Sequence, residues 1–179
     1  MSHLDVLMPT ADRLALENLA RDTWQSIELI GGQRAANLLQ VRVSGVLIRG
    51  HRDWLVQVVP VDVAPMVEVF RLGVREHFQR SLQAPHFVDS AILDAGELLA
   101  AFVGGRRQLL LGTRVHSSPD WERLGIPNLW VEDVLVFKEP SGQRAVLTPD
   151  PEQPGGLLVT RTVSSLSDEA LPVERLLVV

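Results

Sequence analysis

The clearest pattern along the chain is a pair of apolar, β-branched runs in residues 40–61, separated by the polar tetrapeptide Gly50, His51, Arg52 and Asp53. Such a pattern predicts a β-hairpin with a four-residue loop. Almost no polar side chain interrupts the second run, so that strand is predicted to be buried on both faces of a sheet. We therefore expect this hairpin to lie at the centre of the sheet.

Two other stretches carry apolar residues at three- and four-residue spacings, which is typical of amphipathic helices. They cover residues 11–30 and residues 65–82. The second stretch opens on Pro65, which suits the first position of a helix because its missing N–H needs no partner there. A short third helix is predicted to begin near Asp94, where a pattern similar to a capping box occurs.

The second half of the chain contains short apolar and β-branched runs bounded by turn residues, and these predict strands. The runs are residues 108–115, 129–137, 144–148 and 157–163. Residues 149–156 are rich in proline and glycine and predict an exposed loop. The tail, residues 172–179, fits a helix and a strand equally well.

The predicted element order is α-β-β-α-α-β-β-β-β. Short connections favour antiparallel pairing, so we predict an α+β fold in a single domain over residues 1–179. It would contain a mainly antiparallel sheet of about five to six strands with helices packed on it. This element order is similar to that of GAF-like and roadblock-like domains, and the similarity implies a sensor or scaffold role.

The composition narrows the class of protein. A chain of 179 residues with 46% apolar and 22% charged residues is ordinary for one globular domain. No apolar run approaches the roughly 20 residues that a membrane helix needs. The N-terminal sequence lacks a signal-peptide pattern. We therefore expect a cytoplasmic, bacterial-type protein that does not associate with membranes.

The absence of cysteine excludes disulfides, thiolate nucleophiles and cysteine-ligated metals. The formal charge of −5 argues against broad electrostatic binding to nucleic acid. No two histidines show the four-residue helical spacing of a metal-binding pair. No cofactor or metal is therefore predicted.

Several histidines and arginines could instead line a pocket between the predicted 65–82 helix and the sheet. The candidates are His77, His86, His116, Arg71, Arg75 and Arg106.

Three shorter patterns have two interpretations each. His116, Ser117 and Ser118 could form a base and nucleophile, but Pro119 favours a turn or a helix cap. Residues 104–107, Gly-Gly-Arg-Arg, could bind a phosphate, but two glycines are also the expected end of a helix.

Glu132 and Asp133 form the third pattern, because they interrupt an apolar strand and should face opposite sides of it. One of them could act as a buried acid or base. Alternatively, the inward carboxylate pairs with an arginine or protects the edge of a sheet.

We predict a non-catalytic protein-interaction or regulatory module that forms a homodimer or binds another protein. The candidate interface residues are Trp121, Leu157, Val159, Leu176 and Val178. A small-molecule-binding or enzymatic domain that uses the histidine and arginine pocket is one alternative. Nucleic-acid binding through the arginine-bearing face of the 65–82 helix, continued by Arg106 and Arg107, is the second.

Overall fold

The computed structural model describes residues 3–31, 33–34, 40–78, 92–94, 96–162 and 173–179. These ranges consist mainly of β-strands. The strands are β1 (His3–Val6), β2 (Ser26–Ile30), β3 (Gln33–Arg34), β4 (Gln40–Val43), β5 (Gly45–Arg49), β6 (Asp53–Ala64), β7 (Val67–Glu76), β8 (Ile92–Asp94), β9 (Gln108–His116), β10 (Asn128–Lys138), β11 (Arg144–Pro149), β12 (Leu157–Thr162) and β13 (Arg175–Val178).

The helices in the described ranges are α1 (Thr10–Arg21), α2 (Gly96–Leu99), a 3₁₀ turn (Ala100–Phe102) and α3 (Pro119–Arg123). Apart from α1, they have no more than five residues. No helix in the part of the chain that the structure describes combines the length and the apolar character needed to cross a bilayer.

The strands form two sheets. The eight-stranded sheet has the order β13-β9-β10-β11-β12-β4-β3, and β1 pairs in parallel with β10 beside this path. The five-stranded sheet has the order β7-β6-β5-β2-β8. Apart from the β1–β10 pair, all the described pairings are antiparallel. The prediction of antiparallel pairing is therefore confirmed.

A common core joins the two sheets. Its buried side chains come from both sheets and from α1, which contributes Leu16 and Leu19. The ring of Phe137 makes edge contacts with Trp24 at 5.0 Å and with Phe102 at 5.9 Å between centroids. Such contacts bury large aromatic areas, so this aromatic group is a main source of stability.

The predicted α+β fold, a single sheet covered by helices, is wrong. The chain forms two sheets, and the only long described helix is α1 with 12 residues. The helix predicted over residues 65–82 is wrong in its described part, which is a turn at Pro65 and Met66 followed by strand β7; residues 79–82 lie outside the described residues. The similarity to GAF-like and roadblock-like domains rested on the predicted element order and is lost with it.

The error has a physical cause, because β7 buries apolar residues on both of its faces. Leu72 and Val74 lie in the common core, whereas Val69 packs in a second cluster with Val6 and Val131. One half of β7 buries alternate residues on one face, and the other half buries them on the opposite face. The apolar residues therefore lose the two-residue period of a strand. The remaining spacing imitates that of a helix.

Helix α1 also ends earlier than predicted, at Arg21 instead of residue 30. The indole N–H of Trp24 donates to the carbonyl of Leu19 at 2.9 Å and so satisfies one carbonyl of the last turn. The chain then continues as strand β2, Ser26–Ile30.

The hairpin predicted in residues 40–61 is present, because β5 pairs with β6 across a turn that includes Gly50. Its first run is divided, however. Strand β4 belongs to the eight-stranded sheet and β5 to the five-stranded sheet, with Ser44 between them. This stretch therefore links the two sheets, a role that the sequence pattern did not indicate.

Residues 151–155 are exposed, as expected for the predicted loop, whereas Asp150 is buried. In the tail, Arg175–Val178 forms strand β13 at one edge of the eight-stranded sheet. Of the two alternatives left open for the tail, the strand is therefore correct for residues 175–178.

Candidate functional site

The pocket predicted against a 65–82 helix does not exist in the form expected, since the described part of that segment contains strand β7 and no helix. Arg71 lies on β7, where its Nη1 donates to Asp12 Oδ2 at 3.0 Å. Arg75 is exposed on the same strand. The arginine-bearing helix face proposed for nucleic acid is lost for the same reason.

The candidate histidines are placed on different sheets. His77 follows β7 in the five-stranded sheet, is buried, and its amide donates to the carbonyl of Asp53 at 2.7 Å. Burial lowers the pKa of His77, and the positive charges of Arg75 and Arg49 lower it further, against the opposing effect of Asp53. His116 ends β9 in the other sheet.

His86 lies outside the described residues, and Arg106 precedes β9 at a surface cleft. The described part of the chain contains no group of three histidine, aspartate or glutamate side chains that could hold a metal ion.

The candidate interface residues also separate. Leu157 and Val159 are fully buried in the common core, so neither can form an exposed contact surface. Trp121 is partly buried against the cluster that contains Val131. Leu176 packs beside a smaller cluster, and Val178 is 68% exposed on β13.

Glu132 is buried at a β-bulge in the middle of β10. Its carboxylate accepts two hydrogen bonds from Arg13 Nη2, at 2.6 and 2.9 Å, and one from the amide of Met8 at 2.6 Å. A buried carboxylate is stable only when its charge and lone pairs are matched in this way. Glu132 thus fastens helix α1 to the eight-stranded sheet.

Asp133, the next residue, is also fully buried and faces other partners. Arg114 donates to it from Nε at 2.9 Å and from Nη2 at 2.6 Å, and His116 Nε2 lies 2.7 Å from Oδ2. Two parallel bonds from one guanidinium form a strong, well-oriented pair. Both carboxylates are therefore paired with arginine, which was one of the two interpretations.

Ser118, the second of the two serines after His116, forms a helix cap. The hydroxyl oxygen of Ser118 accepts a hydrogen bond from the amide of Asp120 at 3.3 Å and caps helix α3, which has Pro119 at its first position. This is the cap that the proline favoured.

Asp22 is a hub of hydrogen bonds that the sequence did not reveal. Its carboxylate accepts from Trp54 Nε1 at 2.9 Å and from the amides of Thr23, His51 and Arg52 at 2.7, 3.1 and 3.2 Å. The loop from residue 50 to residue 53 therefore closes around the end of α1.

Glycine is required at position 50 for this contact. A Cβ there would lie 2.7 Å from the carbonyl oxygen of Thr23 and 2.8 Å from Asp22 Oδ2. The pKa of Asp22 reflects the same arrangement. Burial alone raises that pKa, but the hydrogen bonds from Trp54, His51, Arg52 and Thr23 together lower it below its usual value.

A cleft of about 490 Å³ opens beside this hub. Its walls are the end of α1 and the segment before β9. Its lining residues are Ala20, Asp22, Thr23, Gly104, Gly105, Arg106 and Arg107. Gly104 has a φ of 70° and follows the 3₁₀ turn, so the two glycines do end a helical segment, as one interpretation held.

Arg107 is held rigidly at the edge of the cleft. Its guanidinium carbon lies 3.5 Å from the centroid of the Trp24 ring, and its Nη2 donates to the backbone carbonyl of Asp22. Burial lowers the pKa of Arg107 to about 10, with Asp22 acting in the opposite direction, so the side chain stays charged at neutral pH.

Comparison with protein-family models, with curated proteins and with solved structures finds no match to this chain. The functional argument therefore depends on the geometry alone.

Substitution of Glu132 by glutamine should lower the free energy of unfolding by about 2 to 3 kcal/mol, because Arg13 loses its buried partner. Urea denaturation measures the change. The control is Arg123→Gln, which breaks a pair with Asp120 whose side chains are about 80% exposed, and it should have little effect. A loss no larger than that of the control would contradict the role given to Glu132.

The hub at Asp22 should make stability depend on acid pH. Because the pKa of Asp22 is lower in the folded state than its ordinary value of 3.8, its contribution is complete above that pH and is lost as the pH falls through the folded pKa. Asp22→Asn should therefore reduce the free energy of unfolding at pH 7 by about 1 kcal/mol.

The difference between this variant and the original protein should shrink below pH 3.8. Thermal or urea unfolding at a series of pH values measures it. The exposed Asp120→Asn is the matched control, and a difference that stays constant with pH would refute the assignment.

Proposed function

We propose that this chain is a non-catalytic protein-interaction module that pairs through the free edge of strand β13, with a second copy of itself as the partner. The observation that supports this most directly is the exposure of apolar side chains on that edge. Val178 is 68% exposed and Leu177 is 37% exposed. A cytoplasmic location is part of the same proposal.

The non-catalytic character is supported by the way charged side chains are used. Within the described ranges, the three fully buried carboxylates and several half-buried ones are engaged in internal ion pairs. These pairs include Glu132 with Arg13, Asp133 with Arg114, Asp12 with Arg71, Glu28 and Asp53 with Arg49, and Asp150 with Arg42. Carboxylates that are already bound to arginine inside the fold are poorly placed for acid or base catalysis.

Strand β13 offers backbone groups as well as apolar side chains. It pairs with β9, and among the described residues no strand pairs with its other side. The amide of Val179 donates to the carbonyl of Leu109 at 3.0 Å. Because bonding direction alternates along an antiparallel strand, the N–H and C=O groups of Leu176 and Val178 point away from β9.

A second copy suits this edge for a geometric reason. If two β13 strands pair in antiparallel fashion about Leu177, Leu176 of each copy lies opposite Val178 of the other, and the outward groups of both residues are satisfied. In this register Arg175 lies opposite Val179 of the second copy and not opposite the second Arg175, so no like charges meet. Dimers with twofold symmetry are the commonest form of homo-oligomer.

The proposal predicts a dimer that one substitution separates. The protein should sediment at twice its chain mass of 19.8 kDa at micromolar concentration, and Val178→Lys should sediment as a monomer because a charge would be buried at the strand pair. Leu124→Lys, at a site 69% exposed in the turn after α3, is the control and should leave the dimer intact.

Val178→Pro sharpens the test. It removes an N–H that points away from β9, so it should block strand pairing while circular dichroism shows the fold retained. A monomeric original protein, or a dimer that survives both substitutions at position 178, would refute the proposal.

A further inference from the structure

We propose that the cleft between the end of α1 and residues 104–107 binds the phosphate group of a small molecule, with Arg106 and Arg107 as its cationic contacts. The site is separate from the β13 edge and does not depend on the proposed pairing. Its volume of about 490 Å³ suits a phosphorylated compound of metabolite size.

Arg107 provides a charge that is fixed before any ligand arrives. The stack on Trp24 and the bond to the carbonyl of Asp22 hold the guanidinium plane in one orientation. Phosphate recognition uses the guanidinium group because its N–H donors match two phosphate oxygens at once. Side chains that are already ordered lose less entropy on binding.

Arg107 forms no ion pair within the described part of the chain. Its Nη2 and Nη1 donate to the carbonyls of Asp22 and Gly105, which are neutral groups, and no carboxylate in the described ranges lies within ion-pair distance. Asp22 acts on this charge only from beyond ion-pair distance, and a partly buried cation that has no ion-pair partner favours an anionic ligand.

Asp22 lines the same cleft, and its carboxylate would repel a phosphate if it were free. However, both of its oxygens already accept hydrogen bonds, from Trp54 and from the amides of Thr23, His51 and Arg52. These four donors hold the carboxylate in place without removing its charge, but the cleft lining carries two arginines against this one carboxylate. Asp22 therefore acts as a support for the cleft wall, while the two arginines determine the sign of the ligand.

Arg106 is exposed, lines the cleft, and forms no ion pair with a described residue, so it is able to turn toward a ligand. It also lines an adjoining cavity of about 250 Å³, together with Arg107, Gln108, Lys138, Glu139 and Pro140. The two arginines thus lie where the two cavities meet. A phosphate bound there could have its organic part in either cavity.

Isothermal titration calorimetry with pyrophosphate, inorganic phosphate and ADP, each at the same ionic strength, tests the site. The original protein should bind pyrophosphate in a saturable manner. Arg106→Gln should weaken that binding about tenfold or more, since it removes a charged hydrogen-bond donor from an exposed position that does not support the fold.

Arg123→Gln is the matched control, because it removes the same charge from an exposed side chain on α3 and should leave the affinity unchanged. Tighter binding of ADP than of pyrophosphate, lost in Arg106→Gln, would support the proposal and identify a phosphorylated organic ligand as the source. Equal affinity for ADP and pyrophosphate would also support the proposal, and would indicate that the site binds the phosphate groups alone. No saturable binding of any probe, or equal weakening in the two arginine variants, would overturn it.

Discussion

Two adjacent carboxylates inside strand β10 constrain the packing of most of the molecule. A buried charge is tolerated only when a partner neutralises it, so Glu132 and Asp133 each require an arginine at close range. Arg13 meets this need from a helix 119 positions earlier in the chain, and Arg114 meets it from the neighbouring strand. Because adjacent residues of a strand face opposite sides, the two carboxylates meet partners on different faces of β10. The pair between Glu132 and Arg13 holds the first turn of α1 against β10, and the hub at Asp22 follows the other end of the same helix.

The sequence predicted the elements whose burial is simple and failed where burial is divided. Strand β6 and its turn were recognisable because the apolar run is continuous and the loop is polar. Strand β7 was mistaken for a helix because Val69 packs in one cluster and Leu72 in another, which destroys the two-residue alternation. Local patterns carry no information about which of two sheets receives a strand. For that reason the switch at Ser44, from β4 to β5, was also beyond prediction.

The candidate site, like the fold, could be predicted only in part from local sequence patterns. The pattern of two glycines and two arginines at residues 104–107 is visible in the sequence, but its meaning depends on Trp24 and Asp22, more than 80 positions away. The hub at Asp22 leaves no signature at all, since three of its four donors are backbone amides that every non-proline residue possesses. The one sequence feature that the hub requires is a glycine at position 50. That glycine is not diagnostic, because glycine is common in polar turns of every kind.

Strand β9 brings the two proposed surfaces close together. Arg107 precedes Leu109 by two residues, and the carbonyl of Leu109 accepts the amide of Val179 just beyond β13. Two residues of extended chain span about 7 Å, so the cleft begins within one or two side-chain lengths of the free edge. The strand between the two surfaces is well held, because β9 pairs with β10 on one side and with β13 on the other. The two buried carboxylates of β10 are paired within the fold, whereas the two surfaces proposed for binding lie beside β9, one at its start and one across β13.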